Sequence, residues 1–304
     1  MAIVEVKNIY KSYDKGKVKA LQDISLSVDK GELYGLIGPD GAGKTTLIRI
    51  IASLLIADSG SATLAGFDVV TDYLQIRSII GYMPGKFSLY QDLSVEENLQ
   101  FFATVFNTTI KENFELIKDL YVQLEPFKSR RAGKLSGGMK QKLALCCALI
   151  HEPKVLLLDE PTTGVDPVSR KEFWEMLIKL KAKGITIIVS TPYMDEAAMC
   201  DRISLIQNGK ILETGTPAAV TKYAAHKIYA VKAESMYELM KSIRLYPSLH
   251  SCYAFGDSHH VQLEDDDIAG LTGFLEQQGI NDTQIKEIAP GIEDIFMEKM
   301  NLAV

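Results

Sequence analysis

Residues Gly38-Pro39-Asp40-Gly41-Ala42-Gly43-Lys44-Thr45 read G-x-x-x-x-G-K-T, and few eight-residue stretches restrict a fold as tightly. The stretch follows an apolar segment, Leu33 to Ile37, and opens another, Leu47 to Ile56. A strand entering the loop and a helix leaving it is the setting this pattern requires. Its glycines let the backbone curl so that N–H groups point inward at an anion. The helix start adds the positive end of its dipole. Gly38, Asp40, Gly41, Ala42, Gly43, Lys44, Thr45 and Thr46 are therefore expected to hold the phosphates of a nucleoside triphosphate. Lys44 is expected to reach the β- and γ-phosphates, and the Thr45 hydroxyl to ligate Mg²⁺. The fold expected around this turn is an α/β P-loop NTPase.

Two further stretches carry chemistry. Val155-Leu156-Leu157-Leu158-Asp159-Glu160 is an apolar run ending in two carboxylates. Ligands of parallel sheets sit at the carboxyl ends of the strands. Asp159 is expected to hold Mg²⁺, and Glu160 to orient or deprotonate the water that attacks the γ-phosphate. Leu135-Ser136-Gly137-Gly138-Met139-Lys140-Gln141-Lys142 begins a helix that continues to Ile150. Ser136 suits its N-cap, and the two glycines allow an anion to approach closely.

The rest of the chain surrounds these stretches in a definite order. Alternation over residues 3–30 suggests antiparallel strands. Strand signals return over residues 61–70, a short helix is expected over 72–80, and a buried strand over 79–83. From Ser94 to Leu149 the pattern is helical. It opens with the capping box Ser94-Val95-Glu96-Glu97, has a second amphipathic helix over 111–127, and includes a basic loop from Lys128 to Lys134. Val155–Leu158 and Ile185–Val189 are continuous apolar runs with a helix between them (168–182), which reads as a βαβ unit. Asn208-Gly209 joins two short runs as a hairpin. After Gly215 the order becomes β-α-β-β-α-β with a last helix, a ferredoxin-like expectation. The expected domains are residues 1–216 with a helical subdomain over about 88–150, a linker over 217–226, and a small α+β domain over 227–304.

Composition excludes some classes. The net charge of −6 gives no reason to expect nucleic acid as a partner. The four cysteines, Cys146, Cys147, Cys200 and Cys252, have no metal or disulfide spacing and read as small buried residues in a reducing compartment. The start of the chain alternates like a strand and lacks the features of a signal peptide. The longest apolar run, Leu47 to Ala57, contains Arg49 and is shorter than the ~20 residues of a spanning helix. The expected location is cytoplasmic.

Taken in order, the phosphate loop, LSGGMKQK and LLLDEPTTGVDP resemble the nucleotide-binding subunit of an ATP-binding cassette (ABC) transporter over residues 1 to about 215. The resemblance implies an antiparallel β subdomain and a helical subdomain built onto the P-loop core. It also implies an ATPase that couples hydrolysis to transport, with ATP and Mg²⁺ as its ligands. Such subunits dimerise head to tail, each ATP lying between one phosphate loop and the partner's Ser136-Gly137-Gly138. Tyr13 corresponds to the aromatic that stacks on adenine, and Asp166 to the loop joining the two sites. Residues 86–100 correspond to the region that touches a transmembrane permease subunit, which implies a peripheral position on the inner face of the cell membrane. The C-terminal portion resembles the accessory domain of bacterial drug exporters.

Two positions depart from the family pattern. A glutamine ordinarily follows the Tyr-Met-Pro strand end, and here Tyr82-Met83-Pro84 is followed by Gly85. A histidine ordinarily follows the Ser-Thr of the next strand, and here Ser190-Thr191 is followed by Pro192, which has no side-chain donor. These departures lead us to expect slow hydrolysis at this chain's own site and a heterodimer with a complete second ABC ATPase rather than a homodimer. Three alternatives stay open at this stage. One is a non-hydrolysing regulatory ATP-binding protein. Another is a soluble cassette ATPase outside transport. The last is an ordinary ATPase in which Gln91 or Tyr193 substitutes for the missing groups.

Overall fold

The computed structural model describes residues 1–222 and 226–302. In chain order, the first part contains β1 (Ala2–Tyr13), β2 (Val18–Asp29), β3 (Leu33–Ile37), α1 (Lys44–Ile51), β4 (Ser59–Leu64), β5 (Phe67–Asp68), α2 (Tyr73–Ile79) and β6 (Ile80–Met83). Next come α3 (Val95–Val105), α4 (Phe114–Leu124), α5 (Gly137–Leu149), β7 (Val155–Asp159), α6 (Pro167–Ala182), β8 (Thr186–Thr191), β9 (Arg202–Gln207) and β10 (Lys210–Gly215).

The continuous apolar runs become the centre of a six-stranded sheet of order β10-β9-β3-β8-β7-β6. Every residue of β3, β7 and β8 is buried, as parallel strands covered on both faces should be. The pairs from β9 to β6 are parallel and only β10 is antiparallel. Register aligns the strand ends that matter: Ile37 pairs with Thr191, Asp159 with Ser190, and Met83 with Leu158. The phosphate loop, the Asp159-Glu160 pair, Gly85 and Pro192 therefore leave the sheet along one edge.

The amino-terminal alternation forms a second, antiparallel sheet of order β2-β1-β4-β5. Its inward residues, among them Val4, Val6, Leu21 and Leu64, share one apolar core with Leu36, Leu47, Ile51 and Leu157. The Ser94 capping box is complete: Ser94 Oγ accepts from Glu97 N, and Glu97 Oε2 accepts from Ser94 N at 2.7 Å. Fully buried Asn98 fastens the turn before it, its amide donating to the Tyr90, Leu93 and Ser94 carbonyls.

The stretch expected to be helical from Ser94 to Leu149 is interrupted twice. The second helix spans Phe114–Leu124 rather than 111–127, and its last residues, Glu125–Phe127, form a 3₁₀ turn. Pro126 lacks the N–H that would continue the α-helical ladder. The basic loop ends in another 3₁₀ turn, Ala132–Lys134.

The chain divides into two compact units, the first ending at Pro217 and the second beginning at Ala218. The stretch read as a linker, 217–226, opens with a short helix, α7 (Pro217–Thr221), and residues 223–225 lie outside the described residues. Proline suits the first position of α7 because its missing N–H has no intrahelical partner there.

The second unit contains β11 (Ile228–Lys232), α8 (Met236–Ile243), β12 (Leu249–Phe255), β13 (Ser258–Leu263), α9 (Ile268–Gln277), β14 (Gln284–Ile288) and α10 (Ile292–Leu302). Its sheet has the order β12-β13-β11-β14 with every pair antiparallel, the ferredoxin-like arrangement. Val231, Leu239, Val261, Leu263, Leu271 and Leu275 form its core. Buried Asp294 at the start of α10 accepts from Gly291 N and pairs with His260 Nδ1 of β13 at 2.7 Å.

Candidate nucleotide-binding site

The loop after β3 adopts the tight curl that its glycines allow. Gly41 and Gly43 have φ of 78° and 107°, conformations that side chains disfavour. A Cβ on Gly43 would stand 2.5 Å from the Ala20 carbonyl, and one on Gly38 2.1 Å from that of Ile206. The hairpin turn at Asn208-Gly209 braces the loop, with Gly209 N donating to Ala42 O at 2.9 Å.

Lys44 begins α1 with only 2% of its side chain exposed. Its ammonium donates to the Gly38 and Pro39 carbonyls at 2.7 and 2.9 Å and pairs with Glu160 Oε1 at 3.0 Å. A buried ammonium needs such partners. Thr45 Oγ1 donates to Asp159 Oδ1 at 3.0 Å. The same carboxylate oxygen accepts from Ser190 Oγ at 2.8 Å, while Glu160 N donates to that hydroxyl and to the Ser190 carbonyl. Glu160 has φ 50°, a left-handed conformation uncommon outside glycine and found at functional turns.

Tyr13, Gly41, Ala42, Lys44, Thr45, Thr46 and Glu160 line a cleft of about 270 Å³ together with Val18, Lys19 and Ala20. Tyr13 is half-exposed, and its hydroxyl lies 3.4 Å from Thr46 Oγ1. Gly38 and exposed Asp40 do not line this cleft.

Ser136, Gly137 and Gly138 do not line it either. Ser136 Oγ caps α5 by accepting from Met139 N. Gly138 packs on the start of α6, where an added Cβ would be 2.6 Å from Ser169 Oγ. Asp166 is the N-cap of α6, and the Ser169 N–H on its carboxylate holds its pKa below the ordinary range. Within one chain, then, the structure joins the phosphate loop to Asp159, Glu160 and Tyr13, and leaves the Ser136 and Asp166 turns outside that cleft.

Gly85 approaches the Asp159-Glu160 backbone so closely that a Cβ there would lie 3.1 Å from the Asp159 carbonyl. Beyond Pro192, the Arg170 guanidinium lies over the Tyr193 ring at 4.6 Å and pairs with Asp195. Buried Glu196 accepts from Thr162 Oγ1 at 2.8 Å. This network ties the Pro192 loop to the turn after Glu160. Gln91 accepts from Gly133 N through its carbonyl. Gln91 and Tyr193, like Gly85 and Pro192, lie outside the lining of the nucleotide cleft.

Ser190, Thr162, Arg170 and Glu196 have no assigned role in the sequence analysis. Ser190 shares its buried strand with Thr186 and Thr191, and it is its register opposite Asp159 that sets it apart.

Comparison with known proteins agrees with this geometry. The ABC transporter family model matches residues 21–163. The chain is 39% identical over 302 residues to the probable multidrug ABC transporter ATP-binding protein YbhF of Escherichia coli K12, covering 98% of this chain but 52% of that protein. It thus spans about half the length of that relative. It is 35% identical over 310 residues to the doxorubicin resistance ATP-binding protein DrrA of Mycobacterium tuberculosis, covering 98% of this chain and 93% of that one. Among solved structures, cbiO1 of Clostridium perfringens, part of the ABC transporter complex cbiONQ, superposes with a TM-score of 0.65 at 28% identity, covering 73% of this chain and 91% of that one. A dimeric ATP-binding cassette carrying ADP and Pi in a post-hydrolysis state superposes with a TM-score of 0.63 at 26% identity, covering 70% and 98%. On the family match and the 35% identity to DrrA, of which the chain covers 93%, the chain belongs to the ABC transporter family as one of its ATP-binding subunits.

Proposed function

We propose that this chain powers an exporter: it binds ATP with Mg²⁺ against a second cassette, drives a separate membrane permease, and turns ATP over slowly at its own site. The export reading is supported by relatives named for multidrug transport and doxorubicin resistance and by a Rhizobium relative, 33% identical, named for Nod factor export. The second unit would be the accessory domain of such exporters. Among the described residues no helix is long and apolar enough to cross a membrane, which fits a chain that depends on a separate permease at the inner face of the cell membrane. An apolar cleft of about 450 Å³, lined by Met83, Pro84, Phe87, Leu89, Phe102 and Phe106, offers such a permease a docking surface.

The Thr45 hydroxyl and the Asp159 carboxylate, 3.0 Å apart, fit Mg²⁺, a hard cation that takes oxygen ligands. Bound there, the ion would neutralise charge on the β- and γ-phosphates. Lys44 would exchange its Glu160 partner for phosphate oxygens. The freed Glu160 carboxylate would accept a proton from a water attacking the γ-phosphorus. The new bond joins water oxygen to phosphorus as the bond to ADP breaks. Tyr13, on the wall of the same cleft, would stack on adenine. The Ser136 turn, outside this chain's own cleft, is available to a partner's ATP, in keeping with the dimeric relative that carries ADP and Pi.

The observation that carries slow turnover is the chemistry at the ends of β6 and β8. Gly85 and Pro192 flank the Asp159-Glu160 pair and bring no side-chain donor to the γ-phosphate. Removing one such donor commonly costs about 10²–10³ in rate. A complete partner cassette in a heterodimer would supply the fast site, with Ser136-Gly137-Gly138 of this chain serving it.

Pro192→His is the cleaner test, because Gly85→Gln must also move the Asp159 carbonyl. It should raise the single-turnover rate of the purified chain by at least about tenfold, and the double variant should raise it further. No gain in either variant would mean that these positions do not limit the reaction. Recovery of a membrane permease and a second cassette with the tagged chain would test the assembly.

A further inference from the structure

We infer that the second unit carries a binding site for one borderline divalent transition-metal ion, with zinc the natural probe, formed by His226, His250 and Glu264. Each of the three residues brings one potential ligand atom to within 4.8 Å of the other two. The topology explains why they meet. β13 lies between β12 and β11. Leu249 pairs with Leu263 across the hairpin, and Tyr229 pairs with Val261. Continuing the second register toward the start of β11 sets His226 across from Glu264, with His250 on the other neighbouring strand. Glu264 N donates to Ser248 O at 3.0 Å and Ser248 Oγ donates to Asp265, so both sides of the hairpin are closed at this end.

Side-chain geometry favours an ion over a simple ion pair. His250 Nδ1 lies 2.9 Å from Glu264 Oε1, a contact that a histidine–glutamate pair would explain alone. It does not explain His226, whose ring lies against that of His250 with centroids 4.1 Å apart. Among the described residues no hydrogen bond engages either nitrogen of His226 or Nε2 of His250.

Two imidazoles and a carboxylate form a ligand set suited to zinc, with a fourth position left for water. Mg²⁺ and Ca²⁺ prefer all-oxygen shells. The acidic run Glu264-Asp265-Asp266-Asp267 adds negative potential on the same side. A bound ion would cross-link the residues leading into β11 to the β12–β13 hairpin, so its binding energy would stabilise the second unit.

The metal-stripped chain, free of nucleotide, should bind one equivalent of Zn²⁺ in a calorimetric titration, and its melting temperature should rise with the ion. His226→Ala with His250→Ala should abolish that equivalent. Glu264→Gln, which changes one exposed side chain and preserves its shape, should weaken it by at least about tenfold. Asp159→Asn should leave it unchanged, separating this site from the Mg²⁺ position. Circular dichroism would verify that each variant is folded. The inference is overturned if the wild-type chain binds no stoichiometric zinc, if the double-histidine variant binds it equally well, or if Asp159→Asn removes it.

Discussion

Ser190→Ala is a small change that reaches both functional carboxylates. The Ser190 hydroxyl is fully buried, donates to Asp159 Oδ1 at 2.8 Å and accepts from Glu160 N at 3.0 Å. Glu160 N keeps its second acceptor, the Ser190 carbonyl, at 3.1 Å. The net loss is therefore one hydrogen bond to a carboxylate that is itself only 3% exposed. Hydrogen bonds to charged groups are worth about 1.5–3 kcal/mol, so a loss of about 2 kcal/mol is expected. The first unit ends at Pro217. A domain of that size shifts by about 2–4 °C per kcal/mol, giving a melting temperature lower by about 4–8 °C. Calorimetric or circular-dichroism melts of the two proteins measure this directly. Because the hydroxyl also orients Asp159, the variant should need more Mg²⁺ to bind ATP. A melt unchanged to within about 1 °C would refute the reasoning, since it would mean that Asp159 does not depend on this donor.

Other expectations follow from single contacts. Gly43→Ala places a Cβ 2.5 Å from the Ala20 carbonyl at φ 107° and should weaken binding of a fluorescent ATP analogue by about 5- to 150-fold, strain at such a position costing about 1–3 kcal/mol. Burial pushes the Cys146, Cys147 and Cys200 thiols well above the ordinary range and Cys252 up to about 11, so the native protein should not react with Ellman's reagent until it unfolds. The Lys11 ammonium, helped by the Ser12 hydroxyl and N–H, holds the exposed Asp58 carboxyl down from 3.8 to about 2. A depressed carboxyl stabilises the fold above its ordinary pKa and loses that contribution as pH falls through the depressed one. The melting-temperature difference between wild type and Asp58→Asn should therefore be constant near neutrality and shrink as pH falls below 3.8 toward about 2.

Much of the fold is legible in the sequence because local pattern and global position agree. Val155–Leu158 is apolar at every position and Ile185–Val189 at every position but Thr186, the pattern of a strand covered on both faces. The Asn208-Gly209 turn is legible because both residues take positive φ there, 48° and 72°. The break after Leu124 is harder to see, because amphipathic spacing continues through Pro126 while the hydrogen-bond ladder does not. The meeting of Thr45 and Ser190 on one oxygen of Asp159 depends on strand register, which no local pattern encodes. The same is true of Arg170 over Tyr193: α6 and the segment after β8 are distant in sequence, and only their packing brings guanidinium and ring together. Gly85 and Pro192 are the reverse case. Their identities are plain in the sequence, and the structure adds that they stand at strand ends beside Asp159 and Glu160, where a polar group would be useful.

The central claim is that this chain grips ATP and hydrolyses it slowly at its own site. The most direct test compares Mg²⁺-dependent ATP binding with steady-state phosphate release for the purified chain alone and for Glu160→Gln. The account predicts saturable binding in both proteins, with wild-type turnover slower by about 10² or more than that of a cassette carrying both polar groups. Brisk phosphate release by the wild-type chain, abolished in Glu160→Gln, would contradict it.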